Sequence, residues 1–231
     1  MKYRPLHLTG VEAYRAISNK TSDKPWYRIE NRADSADVYI FDEIGFWGTT
    51  AQEFVDTINA IDTPSLNVYI NSVGGNVFDG VAIYNALRGH KAHVTTQVEA
   101  LGASIASVIF QAGDDRVMVT HSQLMIHDAM GCVCGNMDDM LEFAEVLDRL
   151  SGEIASIYAE RGDSRKNYRA LMKAETWFGA SEAVAAKLAD RVYDPPKKKA
   201  ADNKIDTAES NQERVARFEA MFTQAEEGFL S

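Results

Sequence analysis

The sequence predicts an α/β domain built on a largely parallel sheet. Three observations carry this prediction. Short segments rich in β-branched and aromatic residues recur along the chain, amphipathic segments with helical spacing separate them, and tight glycine turns join the two kinds of segment. Strands that alternate with helices are typical of parallel sheets, because a parallel crossover needs a connection long enough to hold a helix.

The first half of the chain supplies most of these elements. The predicted strands are "WYRIEN", "ADVYIFDEIG", "SLNVYINS", "HVTTQVEA", "DRVMVTH" and "QLMIHDA". A helix is predicted in "TTAQEFVDTINAI", with Thr49 or Thr50 as its cap. "VGGN" is a tight turn before a helix in "VFDGVAIYNALRGH" that ends near Gly89, and "VEALGASIASVIFQAG" supplies a third helix.

One long amphipathic helix is predicted from Met137 to Gly162. Its length exceeds that of an average helix, so we expect it to project from the body of the domain. Apolar residues lie on or near a single stripe of this helix: Met140, Leu141, Ala144, Leu147, Ile154 and Ile157.

The amino-acid composition changes at "DPPKKKAADNK", near residue 195. Pro195 and Pro196 stop the fold, and a lysine-rich linker leads to a C-terminal segment that is amphipathic if helical. The predicted organisation is therefore an N-terminal segment over residues 1–35, one domain over residues 36–194, and a linker with a tail over residues 195–231.

Charge and hydropathy limit the classes of function. The chain has 231 residues, is 45% hydrophobic and carries a net charge of −10. This charge argues against a general nucleic-acid-binding protein, because phosphate contacts require clustered lysine and arginine. No apolar run reaches the roughly 18 residues of a membrane helix, and the N-terminus lacks the apolar core of a signal peptide. We therefore expect a cytoplasmic protein without nucleic-acid or membrane partners.

The two cysteines, Cys132 and Cys134, lie one residue apart in "MGCVCGN". This spacing is poor geometry for a disulfide between them, and the cytoplasm is reducing. A metal site that combined them with His121 and His127 is conceivable, but the chain shows no four-ligand pattern. Ordinary loop cysteines are the favoured interpretation, and no metal or cofactor is expected.

Ser104 lies in "GASIA", after a strand and before a helical segment. The motif nearly matches the G-x-S-x-G nucleophile elbow, with Ala106 in the last place. Small neighbours let a substrate carbonyl approach the serine oxygen closely. A Gly/Ala/Ser helix packed on a sheet has the same composition, so the stretch alone leaves both interpretations open.

Three further segments offer the partners that a serine nucleophile needs. Paired glycines, as in "INSVGGN", are typical of turns whose backbone N–H groups point outward, as an oxyanion hole requires. A phosphate-binding turn is disfavoured because no P-loop lysine follows. His127, in "LMIHDAM", has the most specific context of the five histidines and is a candidate base. Glu175, in "KAETWFGASEA", is a candidate acid. Each also has an ordinary structural interpretation.

In combination, these segments resemble the Clp protease proteolytic subunit family, a family of serine peptidases. The resemblance runs from Ala36 to Val192 and rests on the order and spacing of "YINSVGG", "GVAIYNAL", "GASIASVIFQAGD", "LMIHD" and "ASEAVAAKLAD". "WYRIENRADSADVYIFDEIGFWG" and "AETWFGASEA" are more similar to the phage and prophage branch, which is associated with head maturation. The resemblance implies a ClpP/crotonase-like fold of repeated ββα units with a projecting handle helix.

The resemblance also implies a catalytic triad for a serine endopeptidase that cleaves polypeptides through an acyl-enzyme. Ser104 corresponds to the nucleophile, His127 to the general base and Glu175 to the acid. The family usually has Asp at the acid position, so Glu175 must sit one methylene further back. The family's Gln-Pro after the histidine is replaced by Asp128 and Ala129, and Asp128 is the competing carboxylate.

Further roles follow from the same resemblance. The backbone N–H groups of Gly74 and Ile105 correspond to the oxyanion donors, and Ser107 is expected to be a packing residue. The long helix corresponds to the handle through which two rings of subunits stack, which implies a homo-oligomer. An ATP-driven unfoldase or capsid proteins are the implied partners, and any use of ATP belongs to such a partner.

Other classes share parts of this pattern. An α/β-hydrolase places its histidine after the acid, whereas His127 is the last histidine of this chain. A relative of the signal-peptide peptidases would use a Ser–Lys pair, and a crotonase-type acyl-CoA enzyme would not need Ser104. Outside enzymes, the alternative is an inactive ring-forming scaffold or capsid-assembly component.

Overall fold

The computed structural model describes residues 25–45, 50–164 and 166–196. The chain divides into two compact units, Met1–Pro195 and Pro196–Ser231. Residues 197–231 lie outside the described residues, and with them all of the second unit but Pro196 and all of the predicted linker and tail but Pro195 and Pro196; the first 24 residues lie outside as well. The strands of the first unit are β1 (Tyr27–Asn31), β2 (Ser35–Ile40), β3 (Ser65–Ser72), β4 (His93–Ala103), β5 (Asp115–Val119), β6 (Gln123–Ile126), β7 (Thr176–Gly179) and β8 (Arg191–Tyr193).

Six helices accompany these strands in the described part of the chain. They are α1 (Ala51–Asn59), α2 (Val77–Arg88), α3 (Ile105–Phe110), α4 (Met137–Arg161), α5 (Tyr168–Lys173) and α6 (Ala180–Ala185). None of the described helices is both long and apolar enough to cross a membrane.

The sheet is mixed and has eight strands, in the order β1-β2-β3-β4-β5-β8, with β6 beside the end of β4 and β7 beside β6. The central pairings are parallel, whereas β1 pairs antiparallel with β2 and β7 pairs antiparallel with β6. The predicted α/β fold is therefore confirmed. The short strand predicted in "WYRIEN" is β1, so the sheet begins before residue 36.

Local chemistry explains where the first two helices begin. At the start of α1 the Thr50 side chain accepts a hydrogen bond from the Glu53 N–H, and the Thr50 N–H donates one to the Glu53 carboxylate, which completes a capping box. The Asn76 side-chain oxygen caps α2 by accepting from the N–H groups of Phe78 and Asp79, and Gly89 follows the last residue of that helix. Of the two predicted caps for α1, Thr50 is the one the structure shows; Thr49 lies outside the described residues.

Strand β4 is longer than the sequence predicts. Leu101–Ala103 was expected to be helical, but these residues pair in parallel with Gln123–Met125 of β6. In this second ladder, backbone N–H and C=O groups of Leu101–Ala103 form hydrogen bonds with β6, so these residues do not need a helix to pair them. The strand therefore continues, and helix α3 begins only at Ile105. Consequently Ser104 lies directly at the strand end, beside β6.

Helix α4 is buried only in its second half, where Ser151, Ile154, Ala155 and Tyr158 pack into the body. Its first half contains no buried residue, and Met137, Met140 and Leu141 are among its exposed apolar side chains. The predicted apolar stripe is therefore covered at Ile154 and exposed at Met140 and Leu141. This division fits a handle that extends beyond the body of one subunit.

A buried arginine joins the end of α4 to the sheet. The Arg116 guanidinium donates to both carboxylate oxygens of Asp190, at 2.6 and 3.1 Å, and to the Gln111 side chain at 2.7 Å. Another of its hydrogen bonds goes to the backbone oxygen of Arg161, at the end of α4, at 2.9 Å. Burial alone would raise the pKa of the Asp190 carboxyl, but its hydrogen bonds with Arg116 and the arginine charge hold it below its usual 3.8.

Asp190→Asn is expected to lower the free energy of unfolding near neutral pH. Because the Asp190 side chain is 41% exposed, solvent screens the pair and we expect a loss of about 1–2 kcal/mol. The pKa of Asp190 is lower in the folded state, so the stabilisation is complete above the unfolded pKa and disappears as pH falls through the folded pKa. Urea unfolding at pH 7 and below pH 4 measures both effects.

The matched control for this variant is Asp62→Asn, which breaks an exposed ion pair with Lys91 and should leave the urea midpoint unchanged. Equal urea midpoints for Asp190→Asn and the wild type at pH 7 would contradict the role given to this pair.

Candidate active site

The backbone holds Ser104 in a conformation that is rare for residues other than glycine. Its φ of 55° and ψ of −131° place it in a strained region, like the turn of a nucleophile elbow. The Ser104 N–H donates to the Met125 oxygen of β6 at 3.0 Å, and its carbonyl accepts from the Ser107 N–H at 2.9 Å. These bonds at both ends of the residue keep the strained turn in place and leave the side chain at the surface of a cavity.

His127 lies against this serine. It directly follows β6, the strand that pairs with the end of β4, so the topology itself brings the two residues together. His127 Nε2 and Ser104 Oγ are 2.7 Å apart, within the range for proton transfer between a nucleophile and its base. Both side chains are half-buried.

Glu175 directly precedes β7. The β6–β7 ladder ends with the pair Ile126–Thr176, so His127 and Glu175 are the next residues along the two strands. Trp177 Nε1 donates a hydrogen bond to Glu175 Oε1 at 3.3 Å. The φ of Glu175 is 48°, in the left-handed region that residues other than glycine rarely adopt.

The competing carboxylate, Asp128, is engaged elsewhere. Arg169 of α5 hydrogen-bonds through one guanidinium nitrogen to Asp128 and through the other to Asp148 of α4, the latter at 2.5 Å. This ion-pair cluster ties the segment after His127 to two helices. An Asp128 carboxylate paired with a guanidinium is a poor choice for orienting the neighbouring imidazole.

The glycine pair after β3 differs in detail from the sequence prediction. The Gly74 N–H, which was predicted to be an oxyanion donor, donates to Ser72 Oγ at 3.1 Å. A Cβ at Gly74 would lie 2.7 Å from Ser104 Cβ, so this residue makes room for the serine. The neighbouring Gly75 lines the cavity, and its N–H donates no hydrogen bond within the described part of the chain. The paired glycines of "INSVGGN" point to an oxyanion turn, but the sequence does not show which of the two supplies the N–H group.

The other predicted donor, Ile105, is the first residue of α3. An N–H group in the first turn of a helix has no intrahelical acceptor, which leaves that of Ile105 available to a ligand beside Ser104. Ser107 is fully buried, in keeping with the packing role predicted for it.

A cavity of about 560 Å³ opens beside Ser104 and His127. Its walls are mainly apolar and are formed by β3–α2 turn residues, α3, the segment after His127 and the buried half of α4: Gly75, Val77, Ile105, Val108, Asp128, Ala129, Met130, Gly131, Cys132, Ile154 and Tyr158. This size and lining suit a segment of polypeptide with an apolar side chain.

Cys132 lines the cavity. The described residues contain no group of three or more His, Cys, Asp or Glu side chains placed to hold a metal ion, so the disfavoured site of Cys132, Cys134, His121 and His127 has no counterpart there. Cys132 and Cys134 are both free and exposed.

The chain is similar to known proteins of one family. The family model for Clp protease matches residues 22–196. An ATP-dependent Clp protease proteolytic subunit of Chlorella vulgaris is 34% identical over 130 residues, which cover 55% of this chain and 65% of that protein. A protein of the same name from Pleurastrum terricola is 32% identical over 178 residues, or 71% of this chain and 91% of the relative.

A third relative, an ATP-dependent Clp protease proteolytic subunit of Bacteroides fragilis, is 30% identical over 165 residues, or 66% of this chain and 80% of that protein. Its match, like that of the Pleurastrum protein, spans most of the relative's length. The family match covers every described strand and helix, so the chain belongs to the Clp protease family and is an enzyme of its peptidase-subunit type.

Proposed function

We propose that the chain is a serine endopeptidase that cleaves polypeptides through an acyl-enzyme, with Ser104 as nucleophile, His127 as general base and Glu175 as the acid. The observation that carries this proposal is the 2.7 Å separation of His127 Nε2 and Ser104 Oγ at the edge of an apolar cavity. A serine hydroxyl is a weak nucleophile until a neutral imidazole at this distance accepts its proton.

The reaction proceeds in two halves. Ser104 Oγ attacks the scissile carbonyl while His127 Nε2 takes the hydroxyl proton, which gives a tetrahedral oxyanion and an imidazolium. The imidazolium then passes that proton to the leaving amine as the C–N bond breaks, and the acyl group stays on Ser104. In the second half, His127 takes a proton from water, the resulting hydroxide attacks the acyl carbonyl, and the proton returns to Ser104 as the acid product leaves.

Glu175 is proposed as the acid because Glu175 and His127 lie just beyond the last pair of the β6–β7 ladder. Opposed residues of an antiparallel ladder have Cβ atoms about 5 Å apart, so residues at its end start close enough for a glutamate side chain to reach an imidazole. The hydrogen bond from Trp177 limits the rotation of its carboxylate. In this role, Glu175 fixes the imidazole tautomer and stabilises the imidazolium formed during attack.

The oxyanion donors in this proposal are the N–H groups of Ile105 and Gly75, with Gly75 in place of Gly74. The Gly74 N–H is already used by Ser72 Oγ, whereas Gly75 lines the cavity that holds the reacting carbonyl. Gly74 remains indispensable for a different reason, since any Cβ there would collide with Ser104.

Hydrolysis of a short fluorogenic peptide by the full chain, with and without a fluorophosphonate, tests this proposal. We expect hydrolysis that the inhibitor abolishes, with a preference for peptides that have an apolar residue before the scissile bond, because the cavity walls are apolar. Hydrolysis that resists the inhibitor would indicate a different mechanism. A protein that is assembled but neither cleaves nor reacts would be the inactive scaffold instead.

Stacked homo-oligomeric rings are the second part of the proposal. The first half of α4 exposes large apolar side chains, including Leu141 at 59%, in a part of the helix that the subunit's own body does not cover. Exposed apolar patches on soluble proteins commonly mark surfaces that contact another molecule. The names of the relatives include "proteolytic subunit", which describes one component of an assembly.

Leu141→Glu is expected to weaken the contact between rings, because it places a charge within an apolar interface. Native mass spectrometry should show species of about half the wild-type mass. Since Leu141 is exposed in the subunit, the variant should fold normally. Glu142→Gln, at the neighbouring exposed position, is the matched control and should keep the wild-type mass. Wild-type mass for Leu141→Glu would contradict a handle role for this helix.

The phage or prophage branch, with capsid proteins as substrates, is the finer part of the proposal. It is supported by the segments "WYRIENRADSADVYIFDEIGFWG" and "AETWFGASEA". An ATP-driven unfoldase is the other proposed partner. It is supported by the words "ATP-dependent" in the names of the relatives.

A cytoplasmic location is also proposed. It fits the two exposed cysteines, Cys132 and Cys134, which would be liable to form disulfides between molecules outside a reducing compartment.

A further inference from the structure

Two buried hydroxyl groups lie directly behind the strained serine. Ser107 and Tyr158 are 0% and 1% exposed, and their side-chain oxygens are 2.7 Å apart. Ser107 Oγ is also 2.5 Å from the backbone oxygen of Ser104. Tyr158 belongs to the buried half of α4, 51 residues away in the sequence, so this chain of hydrogen bonds connects the handle helix to the nucleophile.

The direction of these hydrogen bonds follows from proton counting. A carbonyl oxygen only accepts, so the Ser107 hydroxyl donates its single proton to Ser104 O. Ser107 Oγ must then accept from Tyr158, whose O–H is the donor. Burial raises the pKa of the Tyr158 phenol above its usual value of 10.0, so the phenol is protonated and can donate near neutral pH. The hydrogen bonds therefore run from Tyr158 to Ser107 to the Ser104 carbonyl.

The anchored carbonyl shares a peptide group with the Ile105 N–H. A trans peptide is planar, and its C=O and N–H bonds point in opposite directions. When Ser107 holds the Ser104 oxygen towards the protein interior, the Ile105 N–H must point the other way, towards the cavity that Ile105 lines. Hydrogen bonds to the carbonyl also polarise the peptide and strengthen its N–H as a donor.

We infer that Tyr158 and Ser107 are positioning residues that aim the Ile105 N–H, one of the oxyanion donors, and hold the strained Ser104 turn in its reactive conformation. This inference rests on the proposed function. Neither hydroxyl touches the reacting atoms, and both act through the single peptide between Ser104 and Ile105. The turn has no other side chain that donates to the Ser104 oxygen within the described residues.

Four proteins test the inference: wild type, Tyr158→Phe, Ser107→Ala and the double variant. We expect each single variant to lower kcat by about tenfold, the effect of one misaligned hydrogen bond in the transition state. KM should change by less than about twofold, because Phe keeps the ring that lines the cavity. The double variant should have the same kcat as the single variants, since all three break the same chain of hydrogen bonds.

Stability separates positioning from simple packing. Ser107→Ala leaves the Tyr158 hydroxyl buried without its acceptor, so its Tm should fall. The double variant removes both hydroxyls, and its Tm should recover while its kcat stays low. Ser156→Ala, an exposed serine of the same helix whose hydroxyl bonds only within α4, is the matched control and should behave as wild type.

Two results would overturn the inference: kcat within twofold of wild type in both single variants, or a kcat that recovers together with Tm in the double variant. Failure of the proposed function gives a different pattern. In that case wild-type Ser104 would not react with a fluorophosphonate, and Ser104→Ala would hydrolyse peptide as well as the wild type does.

Discussion

Ser104→Ala is expected to abolish peptide hydrolysis and to leave folding and assembly intact. In the proposed mechanism the Ser104 hydroxyl forms the acyl-enzyme, and the substitution removes both this hydroxyl and its hydrogen bond with His127. Loss of a triad nucleophile leaves the weak catalysis that binding and the oxyanion hole provide. We therefore expect kcat/KM to fall by on the order of 10⁴-fold or more.

The matched control for this prediction is Ser122→Ala. The buried hydroxyl of Ser122 has no hydrogen-bond partner among the described residues. Removal of this hydroxyl should therefore change neither the activity nor the stability. Steady-state hydrolysis of a fluorogenic peptide and native mass measurement on both variants complete the test. If Ser104→Ala retains wild-type turnover, Ser104 is not the nucleophile.

Glu175→Gln is expected to reduce kcat by on the order of 10²–10⁴ with little change in KM. Glutamine keeps the shape of the side chain and an acceptor for the Trp177 N–H. It removes the negative charge that stabilises the imidazolium, and its amide favours the wrong imidazole tautomer. Because the imidazolium forms only in the reaction, the loss should fall on kcat and spare binding.

Asp128→Asn is the matched comparison for the acid. Its carboxylate is paired with Arg169, so its substitution should disturb the segment after His127 and cost much less activity than Glu175→Gln. Parallel assays of the two variants decide which carboxylate supports the base. A severe loss in Asp128→Asn alone would mean that Asp128, and not Glu175, is the acid.

The structural features that can be predicted from the sequence are those determined by residues close together in the chain. The residue types of "SLNVYINS" predict β3, Thr49 or Thr50 before an amphipathic segment predicts the start of α1, and the small residues around Ser104 predict a tight strand-to-helix turn. The family resemblance then selects Ser104 and His127 from the many serines and histidines. The structure places these two side chains in hydrogen-bonding contact.

The remaining features depend on contacts between residues distant in the sequence. The extension of β4 to Ala103 follows from pairing with β6, which no local pattern encodes. Whether Gly74 or Gly75 can offer its N–H group to an oxyanion depends on how the turn orients its peptide groups and on Ser72 Oγ, which already accepts from the Gly74 N–H. The bond between Ser107 and Tyr158 spans 51 residues, so a periodic pattern shows only that both positions are buried.

The most direct test of the central claim is the site of covalent modification by a fluorophosphonate. The assembled full-length chain is treated with the reagent, its intact mass is measured, and the adduct is located by peptide mass spectrometry. The account predicts one adduct per subunit, on Ser104, together with loss of peptide hydrolysis and no adduct in His127→Ala over the same time. An adduct on another residue that abolishes hydrolysis, or hydrolysis that continues with Ser104 fully modified, would contradict it.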